Sequence, residues 1–164
     1  MNHPEITAYR ACVGIMLLNS KGEAWIGRRF EKQNDDGIGK WWQMPQGGVD
    51  EGEDLLAAAK RELYEETGVT SVSVIAESKD WYTYDLPEHL IGKSWKGKYR
   101  GQKQKWFVLR FEGANSEITL KVPDQKQEFD DWRWAKLDEV LDLIIHFKRD
   151  VYVSVLKEFQ SLGT

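Results

Sequence analysis

Three glutamates, Glu62, Glu65 and Glu66, lie close together near the middle of the sequence. In a helix beginning near Asp54, their spacing of i, i+3 and i+4 places the three carboxylates on one face. Like charges at this spacing destabilise a helix, but a divalent cation reverses the sign of that effect because hard cations prefer carboxylate oxygens. The spacing therefore predicts a helix face that binds a metal ion. An acidic face that is merely solvated is the alternative.

The residues around this helix suit a ligand site. Three glycines, which let a backbone approach a ligand closely, precede it: Gly47, Gly48 and Gly52. Glu53 carries negative charge at the expected N-terminus, and Gly68 suits the residue that follows the last turn. An apolar stripe lies on the adjoining face: Leu56, Ala59 and Leu63. The helix is therefore expected to pack on a sheet through this stripe.

Hydrophobic patterning outlines the elements that must hold this helix in place. Apolar or alternating segments predict strands at Tyr9–Leu18, Glu23–Phe30, Trp41–Pro45, Val72–Tyr84, Lys103–Glu112, Ile118–Leu120 and Phe129–Ala135. Two further helices are predicted at Leu137–Ile145 and Lys148–Leu162, the second from apolar residues at helical spacing. Strands before, between and after three helices predict a mixed sheet with helices on its faces, an α/β or α+β sandwich.

The composition predicts one folded domain spanning residues 1–164. Apolar residues make up 41% of the chain and there are eight tryptophans, which argues against disorder. The sequence predicts neither a membrane span, which needs an apolar run of about 18 residues, nor a signal peptide. Cys12, the single cysteine of the sequence, lies in an apolar run and is expected in the core. The expected compartment is the cytoplasm.

Charge is distributed unevenly along the chain, whose formal net charge is −4. Residues 47–69 carry seven acidic side chains against two basic ones, whereas residues 92–110 carry seven basic side chains and no acidic one. An acidic cluster that binds a metal ion, together with a basic stretch that binds phosphate, suits an enzyme acting on polyphosphates. A solvated basic loop explains the second stretch equally well.

The segment from Gly47 to Val69 also matches a known family motif at every defined position. It contains Gly47, five residues, Glu53, seven residues, Arg61-Glu62-Leu63, one residue, Glu65-Glu66, one residue and Gly68-Val69. In this the chain resembles the Nudix hydrolases. The resemblance implies an α/β/α sandwich with a central mixed sheet. It also implies hydrolysis of phosphoanhydride bonds with Mg²⁺, or with Mn²⁺ or another divalent cation in its place.

The same resemblance implies roles within the motif. Glu62, Glu65 and Glu66 match the metal-binding glutamates of the family, and the carbonyl of Gly47 is an implied further ligand. Arg61 is expected to hold the motif together by pairing with an acid such as Glu53, rather than to contact substrate. A bound cation would neutralise phosphate oxygens and activate water. Whether Glu62 or a carboxylate outside the motif orients that water is left open.

Five further motifs narrow the resemblance to one branch of the family. They are MPQGG at 44–48, YDLP at 84–87, YRGQKQKWF at 99–107, EFDDWRW at 128–134 and FKRDVY at 147–152. Together they resemble the subgroup that contains the asymmetric diadenosine polyphosphate hydrolases and the bacterial RNA 5′-pyrophosphohydrolases. This resemblance extends from about Tyr9 to the C-terminus.

By position, the subgroup implies ligand contacts outside the first motif. Glu128 matches a fourth metal-binding glutamate. Arg29 and Phe147 resemble the pair that sandwiches the first base of an RNA, which suits an unpaired 5′ end because guanidinium and aromatic groups stack on bases. The other implied contacts with nucleotide or phosphate are Gln46, Tyr84, Lys103, Lys105 and Lys148. By residue type alone, Phe147 could equally be a core or interface aromatic, and a solvated cation is the default interpretation of Arg29.

Two features depart from the subgroup, and two aromatic residues have a simpler role. The loop Glu31–Lys40 is longer than in compact members and is expected beside the nucleotide pocket, where it could alter specificity. Asp131 stands where a glycine is frequent. Trp132 and Trp134, at strand spacing, are interpreted as packing residues rather than as platforms for bases.

The favoured function is an Mg²⁺-dependent pyrophosphohydrolase that converts 5′-triphosphate RNA ends to monophosphates and also hydrolyses dinucleoside polyphosphates. A dedicated asymmetric diadenosine tetraphosphate hydrolase, which releases ATP and AMP, is the alternative substrate class. A non-catalytic nucleotide-binding Nudix module is disfavoured because such modules usually lack glutamates that are all present here. A purely structural acidic and basic domain leaves the glycines unexplained. The expected partners are thus dinucleoside polyphosphates or single-stranded RNA 5′ ends, with no membrane and no protein partner indicated.

Overall fold

The computed structural model describes residues 8–29, 42–86, 99–144 and 148–160. Within these ranges lie eight strands, β1 (Tyr9–Leu18), β2 (Ala24–Arg29), β3 (Trp42–Gln43), β4 (Gln46–Gly48), β5 (Val72–Glu77), β6 (Tyr82–Asp85), β7 (Gly101–Phe111) and β8 (Phe129–Ala135). The α-helices there are α1 (Leu55–Thr67), α2 (Leu137–Leu143) and α3 (Arg149–Phe159). None of the helices in this part of the chain has the length and hydropathy to cross a membrane.

The strands form one mixed sheet whose centre is the parallel pair of β1 and β7. Their register runs from Tyr9 opposite Gly101 to Leu18 opposite Arg110. β5 and β6 pair with β7, and β2 and β4 pair with β1, all in antiparallel orientation. β3 and β8 both pair with β2. The predicted mixed sheet is thereby confirmed.

Helices cover both faces of this sheet because the central strands bury side chains on both sides. On one face, the core combines β1 and β7 with α1: Ile15, Leu17, Phe107, Leu109, Ala59 and Leu63. On the other face, it combines the same strands with α2 and α3: Met16, Leu18, Trp106, Val108, Val140, Tyr152 and Val155. The layers are those of the predicted α/β/α sandwich.

The ends of α1 lie where the sequence predicts them. The carboxylate of Asp54, the N-cap residue, accepts a hydrogen bond from the Ala57 amide at 3.0 Å. Gly68 has a φ of 75°, and its amide donates to the carbonyl of Tyr64 at 2.8 Å. Ala59 and Leu63 are buried against the sheet. This orientation fixes the face on which the glutamates of the helix lie.

One predicted strand is wrong. Residues 118–120 form no strand and instead follow a 3₁₀ turn at Asn115–Glu117. The Thr119 amide donates to the carbonyl of Thr67, the last residue of α1, at 2.9 Å. A backbone donor that bonds to a helix terminus is no longer available for a strand ladder. The apolar side chains of Ile118 and Leu120 pack on the core beside α1.

Two other segments differ in detail from their predictions. The extended segment Val72–Tyr84 is divided into β5 and β6 by a turn in which the Ser78 hydroxyl donates to the Asp80 carbonyl at 2.9 Å. The glycine-containing segment Gln46–Gly48, which precedes α1, is itself a strand, β4, in which Gly47 lies opposite Val13. Glycine has low strand propensity, so only the tertiary pairing with β1 could reveal this strand.

Side-chain packing confirms three predicted roles, for one buried and two half-buried residues. Cys12 is fully buried, and burial raises the pKa of its thiol to about 11. Trp132 stacks on Trp25 with ring centroids 6.2 Å apart. Trp134 packs against Phe111 at 5.8 Å. The two tryptophans of β8 therefore contribute to the core beside α1.

Candidate functional site

Gly47 of β4 lies directly against the carboxylate of Glu62 on α1. A Cβ atom at position 47 would be 2.1 Å from Oε2 of Glu62, much closer than nonbonded atoms can approach. Glycine is therefore required where the β4 backbone meets the helix. The Glu62 side chain is 14% exposed, and burial raises its pKa. This helix face thus meets β4 across a polar and largely dehydrated contact.

Arg61 connects the acidic side chains around this contact. Its Nε donates to Glu53 Oε2 at 2.8 Å, and its Nη1 donates to Glu62 Oε1 at 2.9 Å and to Glu65 Oε2 at 3.3 Å. Its Nη2 donates to the Gly48 carbonyl at 2.9 Å. The hydrogen bond from Arg61 lowers the pKa of Glu53 to about 2. The predicted pairing of Arg61 with Glu53 is confirmed, and it ties α1 to β4.

Glu66 is the most deeply buried carboxylate of α1. Its side chain accepts a hydrogen bond from the backbone amide of Gln46 at 3.3 Å. Burial, and then the negative charges of Glu62 and Glu128, raise its pKa well above the usual value, while Arg29 acts in the opposite direction. Three predicted metal ligands and a predicted base contact therefore lie within electrostatic reach of one another. A buried carboxylate beside like charges needs a proton or a cation.

The donor set of this region suits a hard divalent cation. Carboxylate oxygens are the ligands that Mg²⁺ prefers. In this structure the guanidinium of Arg61 provides the positive charge between two of these carboxylates, Glu62 and Glu65. Across the described ranges, no three His, Cys, Asp or Glu side chains are gathered closely enough to hold a metal ion. Glu62 and Glu65 bind Arg61 instead, while Glu66 stays buried beside them.

A second polar group lies on the opposite face of the sheet, toward α3. Alternation along β7 directs Gln102 and Gln104 to this face, where both are buried. Gln104 Nε2 donates to Gln46 Oε1 at 3.0 Å and to Gln102 Oε1 at 2.7 Å. We call these three side chains the glutamine cluster. The predicted substrate residue Gln46 thus belongs to a network that residue type alone did not reveal.

Lys148 is buried at the N-cap of α3, the helix that covers the same face of the sheet as the glutamine cluster. Its Nζ donates to Gln43 Oε1 at 3.1 Å and lies 5.9 Å from the ring centroid of Tyr84. Tyr84 is also buried, and burial raises the pKa of its hydroxyl. The two predicted substrate residues are therefore neighbours. A buried ammonium group in such a place favours an anionic ligand.

Lys103 and Lys105 lie on the other side of the sheet, which separates them from the glutamine cluster. Lys103 Nζ lies 5.1 Å from the ring centroid of Trp81, and Lys103 lines a cavity of about 510 Å³ with Glu62. Lys105 Nζ donates to the Lys79 carbonyl at 3.1 Å on the protein surface. Of these two predicted phosphate contacts, the structure brings only Lys103 to the acidic face of α1.

A β-bulge places Arg29 and Glu128. Register between β2 and β8 shifts after Arg28, so that Arg28 lies opposite Asp131 and Arg29 opposite Phe129. Bulges commonly redirect side chains next to binding sites. Within the described ranges the buried Nε of Arg29 has no hydrogen-bond partner. The proposed stacking of a base between Arg29 and Phe147 stays a prediction, because Phe147 lies outside those ranges, as does the loop 31–40.

Sequence reasoning missed Arg10 and two of the three clustered glutamines. Arg10 lies beside Gly48, where a Cβ atom would be 2.5 Å from its Nη2, and it lines the same cavity as Lys103 and Glu62. Arg10 lies in the apolar segment Tyr9–Leu18, and Gln102 and Gln104 are uncharged residues within the basic stretch 92–110, so residue type marked none of them as a site residue. Period-two alternation in QKQKW was the available signal, since it puts glutamines and lysines on opposite faces.

Comparison with known proteins identifies a family and close relatives. The family profile described as the NUDIX domain matches residues 8–155. A protein of Brucella ovis named RNA pyrophosphohydrolase is 53% identical over 167 aligned positions, covering 99% of this chain and 94% of that protein. A Mesorhizobium japonicum protein of the same name is 51% identical over 163 positions, covering 97% and 94% respectively.

Solved structures share the fold at low sequence identity. The Ap4A hydrolase of C. elegans, in a binary complex, has a TM-score of 0.65 at 18% identity, over 93% of this chain and 96% of that one. The dihydroneopterin triphosphate pyrophosphohydrolase of E. coli has a TM-score of 0.64 at 18% identity, over 90% and 97%. At such identities the likeness concerns the fold, which is the sandwich described above.

Proposed function

The chain belongs to the Nudix family, and from this premise we propose that it is a divalent-cation-dependent pyrophosphohydrolase that converts RNA 5′-triphosphate ends to 5′-monophosphates. In this reaction water adds across the phosphoanhydride bond between the α- and β-phosphates, so that the monophosphate stays on the RNA and pyrophosphate is released. The observation that carries the proposal is the position of β4 between two polar groups. Gly47 contacts Glu62 on α1, and the side chain of the preceding residue, Gln46, bonds to Gln104 on the other side.

Mg²⁺ is the proposed cation, with Mn²⁺ as a chemically similar substitute. Its proposed ligands are four carboxylates and one carbonyl: Glu62, Glu65, Glu66, Glu128 and Gly47. When bound, the cation neutralises charge on phosphate oxygens and lowers the pKa of a coordinated water. The raised pKa of the buried Glu66 supports this role, because such a carboxylate binds a cation by releasing its proton. Arg61, bonded to Glu62 and Glu65, would orient both side chains.

The phosphate chain would lie between the acidic face and the cationic side chains near β1 and α3. Lys148 provides positive charge on the side of the glutamine cluster, and Arg10 and Lys103 provide it in the cavity beside Glu62. Positive groups in partly buried positions stabilise the charge that develops during phosphoryl transfer. Tyr84, next to Lys148, would then contact the nucleotide.

The first base of the RNA would stack between Arg29 and Phe147. The buried Nε of Arg29, for which the described ranges hold no hydrogen-bond partner, supports a ligand contact at this position. Guanidinium and aromatic planes stack on any base, which suits RNA ends of differing sequence. The curated relatives named RNA pyrophosphohydrolase support RNA as the substrate. The expected compartment, the cytoplasm, stays a prediction.

Rates on two substrates with Mg²⁺ test the proposal. We expect hydrolysis of a short 5′-triphosphorylated RNA and of diadenosine tetraphosphate, with a greater loss on RNA in the Phe147→Ala variant. Glu65→Gln is expected to abolish most turnover of both, which would separate the enzyme from a nucleotide-binding module. No turnover on any polyphosphate would refute the enzyme, and equal losses in Phe147→Ala would remove the preference for RNA.

A dedicated diadenosine tetraphosphate hydrolase is the second candidate. It is favoured by the phosphate-directed chemistry of the site, since Lys148, Arg10 and Lys103 would bind the polyphosphate bridge of a dinucleotide as readily as an RNA end. Asymmetric cleavage would release ATP and AMP. Faster turnover of the dinucleotide than of RNA, together with these products, would make it the main activity.

A further inference from the structure

A chain of hydrogen bonds in the protein interior links a tryptophan to the glutamine cluster. Trp106 Nε1 donates to Gln104 Oε1 at 3.0 Å, and Gln104 Nε2 donates to both Gln46 Oε1 at 3.0 Å and Gln102 Oε1 at 2.7 Å. Trp106, Gln102 and Gln104 are all at most 3% exposed. The network therefore connects the core to Gln46, one residue before the glycine that contacts Glu62.

The chemistry of the indole group fixes the direction of every bond in this chain. An indole N–H can donate a hydrogen bond but cannot accept one, so it requires the oxygen of Gln104. The amino group of Gln104 must then point the other way, where its two hydrogens meet the oxygens of Gln46 and Gln102. Because an amide carries oxygen and nitrogen on opposite branches, the amino groups of Gln46 and Gln102 point away from Gln104. Among the described residues, neither of these two amino groups has a hydrogen-bond partner.

Packing holds the indole ring of Trp106 at the start of this chain of hydrogen bonds, which we call the relay. The ring contacts Tyr152 edge-on at 5.4 Å, and the Trp106 amide donates to the Ser78 hydroxyl at 3.0 Å. It also lies over Gly14, where a Cβ atom would be 2.5 Å from Cε2 of the ring. Rotating the Gln104 amide would place two buried donors against each other, which is strongly unfavourable. The orientation is therefore a property of the core.

We propose that Trp106 is a positioning residue that, through Gln104, makes Gln46 and Gln102 hydrogen-bond donors toward the substrate. The site would then select a ligand group that accepts hydrogen bonds and reject one that donates them. Phosphate oxygens fit this requirement, and so does an acceptor on a base edge. Gln102 lies in register with Arg10 and with Tyr84, whose ring centroid is 5.9 Å from Lys148 Nζ, so the donors would add to a cationic environment. This inference rests on the proposed function, since it concerns how the same site recognises its substrate.

Affinity measurements on Trp106→Phe test the relay without requiring turnover. The variant removes the indole N–H, and a matched control exists in Trp134→Phe, because Trp134 Nε1 also donates to a side-chain amide oxygen, that of Asn115, at 3.1 Å. We expect Trp106→Phe to weaken Mg²⁺-dependent binding of methylenediphosphonate by about ten-fold or more, the factor for an unmatched buried hydrogen bond. The control is expected to bind like wild type.

A second variant guards against a general loss of packing in Trp106→Phe. Gln104→Met keeps the tryptophan but breaks the relay, and it should weaken binding to a similar extent. In this variant the indole proton of Trp106 should also exchange with solvent faster by NMR than in wild type. The kinetic counterpart is a raised KM with a smaller change in kcat. Unchanged affinity in Gln104→Met would overturn the relay, whatever the outcome with Trp106→Phe.

A second probe can identify which ligand atom accepts the hydrogen bonds of Gln46 and Gln102. An α,β-methylene analogue of a 5′-triphosphorylated dinucleotide carries a base, whereas methylenediphosphonate does not. Equal weakening for both probes would assign the donors to phosphate, and weakening for the dinucleotide alone would assign them to a base edge; both outcomes support the relay. Wild-type affinity of the variants for both probes, or no binding of either probe by wild type, would overturn it. Failure to hydrolyse RNA, by contrast, would refute the proposed function alone.

Discussion

The hydroxyl of Tyr152 accepts a hydrogen bond from the backbone amide of Met44 at 2.8 Å, inside the core between α3 and the sheet. One turn earlier on the same helix, Lys148 Nζ donates to Gln43 Oε1. The adjacent residues Gln43 and Met44 are thus held by Lys148 at the N-cap of α3 and by Tyr152 within that helix. Because β4 begins at Gln46, only two residues beyond Met44, the N-terminal part of α3 also sets the position of the strand at the centre of the site.

The Tyr152→Phe variant should therefore affect both stability and catalysis. It leaves the buried Met44 amide without a partner, and we expect a loss of about 1–3 kcal/mol in the free energy of unfolding. Urea unfolding measures this loss, and steady-state kinetics should show a lower kcat/KM. Tyr82→Phe is the matched control, because the Tyr82 hydroxyl donates to Glu158 at a less buried position. A variant that loses stability but keeps full kcat/KM would show that α3 does not position β4.

A methyl group at position 47 should displace Glu62. The Gly47→Ala variant places a Cβ atom 2.1 Å from Oε2 of that carboxylate, so the helix face or the strand must move. Misplacement of a catalytic group by about 1 Å can reduce the rate about 10²-fold, and we expect a loss of kcat of this order. Gly52→Ala is the control, since a Cβ atom there meets open space although φ is +76°. Similar kcat losses in both variants would argue against a specific contact with Glu62.

The acidic half of the site could be predicted from sequence because it lies on one helix. Spacing alone placed Glu62, Glu65 and Glu66 on a common face, and the sequence also placed the start of α1 near Asp54 and its end at Gly68. The glutamine cluster could not, because Gln46 and Gln104 are 58 residues apart and meet only through pairing of β4 and β7 with β1. Residue type also favoured the lysines of β7 over its glutamines as phosphate contacts. Alternation along β7 directs these lysines and glutamines to opposite faces of the sheet.

Two lysine substitutions should distinguish a buried substrate contact from a lysine on the protein surface. Lys148 is buried beside Tyr84, whereas Lys105 bonds to a carbonyl at the surface. We expect Lys148→Met to raise KM for triphosphorylated RNA about ten-fold or more, because a charge-assisted hydrogen bond in a buried site is stronger than one in water. Lys105→Met should raise KM much less. Equal increases, measured at one fixed salt concentration, would mean that Lys105 contributes to phosphate binding as much as the buried Lys148 does.

The ion pair between Glu53 and Arg61 should make stability depend on pH at the acidic end. Arg61 lowers the pKa of Glu53 to about 2, below the value of about 4.3 for an unfolded glutamate. A lowered pKa means that the stabilisation is fully present above the unfolded pKa and is lost as pH falls toward the folded pKa. The difference in unfolding free energy between wild type and Glu53→Gln should therefore shrink between about pH 4.5 and pH 2. Glu51→Gln, at an exposed position in the same loop, should show no such trend in urea unfolding.

Glu66 should give the opposite pH dependence in metal-free protein. Burial and the charges of Glu62 and Glu128 raise its pKa, so ionisation of this carboxylate favours the unfolded state. Stability should then fall as pH rises from the unfolded pKa of about 4.3 toward the higher folded pKa, and Glu66→Gln should remove this fall. Thermal unfolding in the presence of a chelator measures it.

Adding Mg²⁺ should reverse the effect in wild type, because a bound cation stabilises the ionised carboxylate and the folded state that holds it. Binding should therefore release protons at pH values near the raised pKa, and affinity should fall as pH decreases. Calorimetric titrations in two buffers of different ionisation enthalpy count those protons. Glu66→Gln should release fewer protons than wild type while Glu51→Gln releases as many. Equal proton release in all three proteins would mean that the cation does not bind through Glu66.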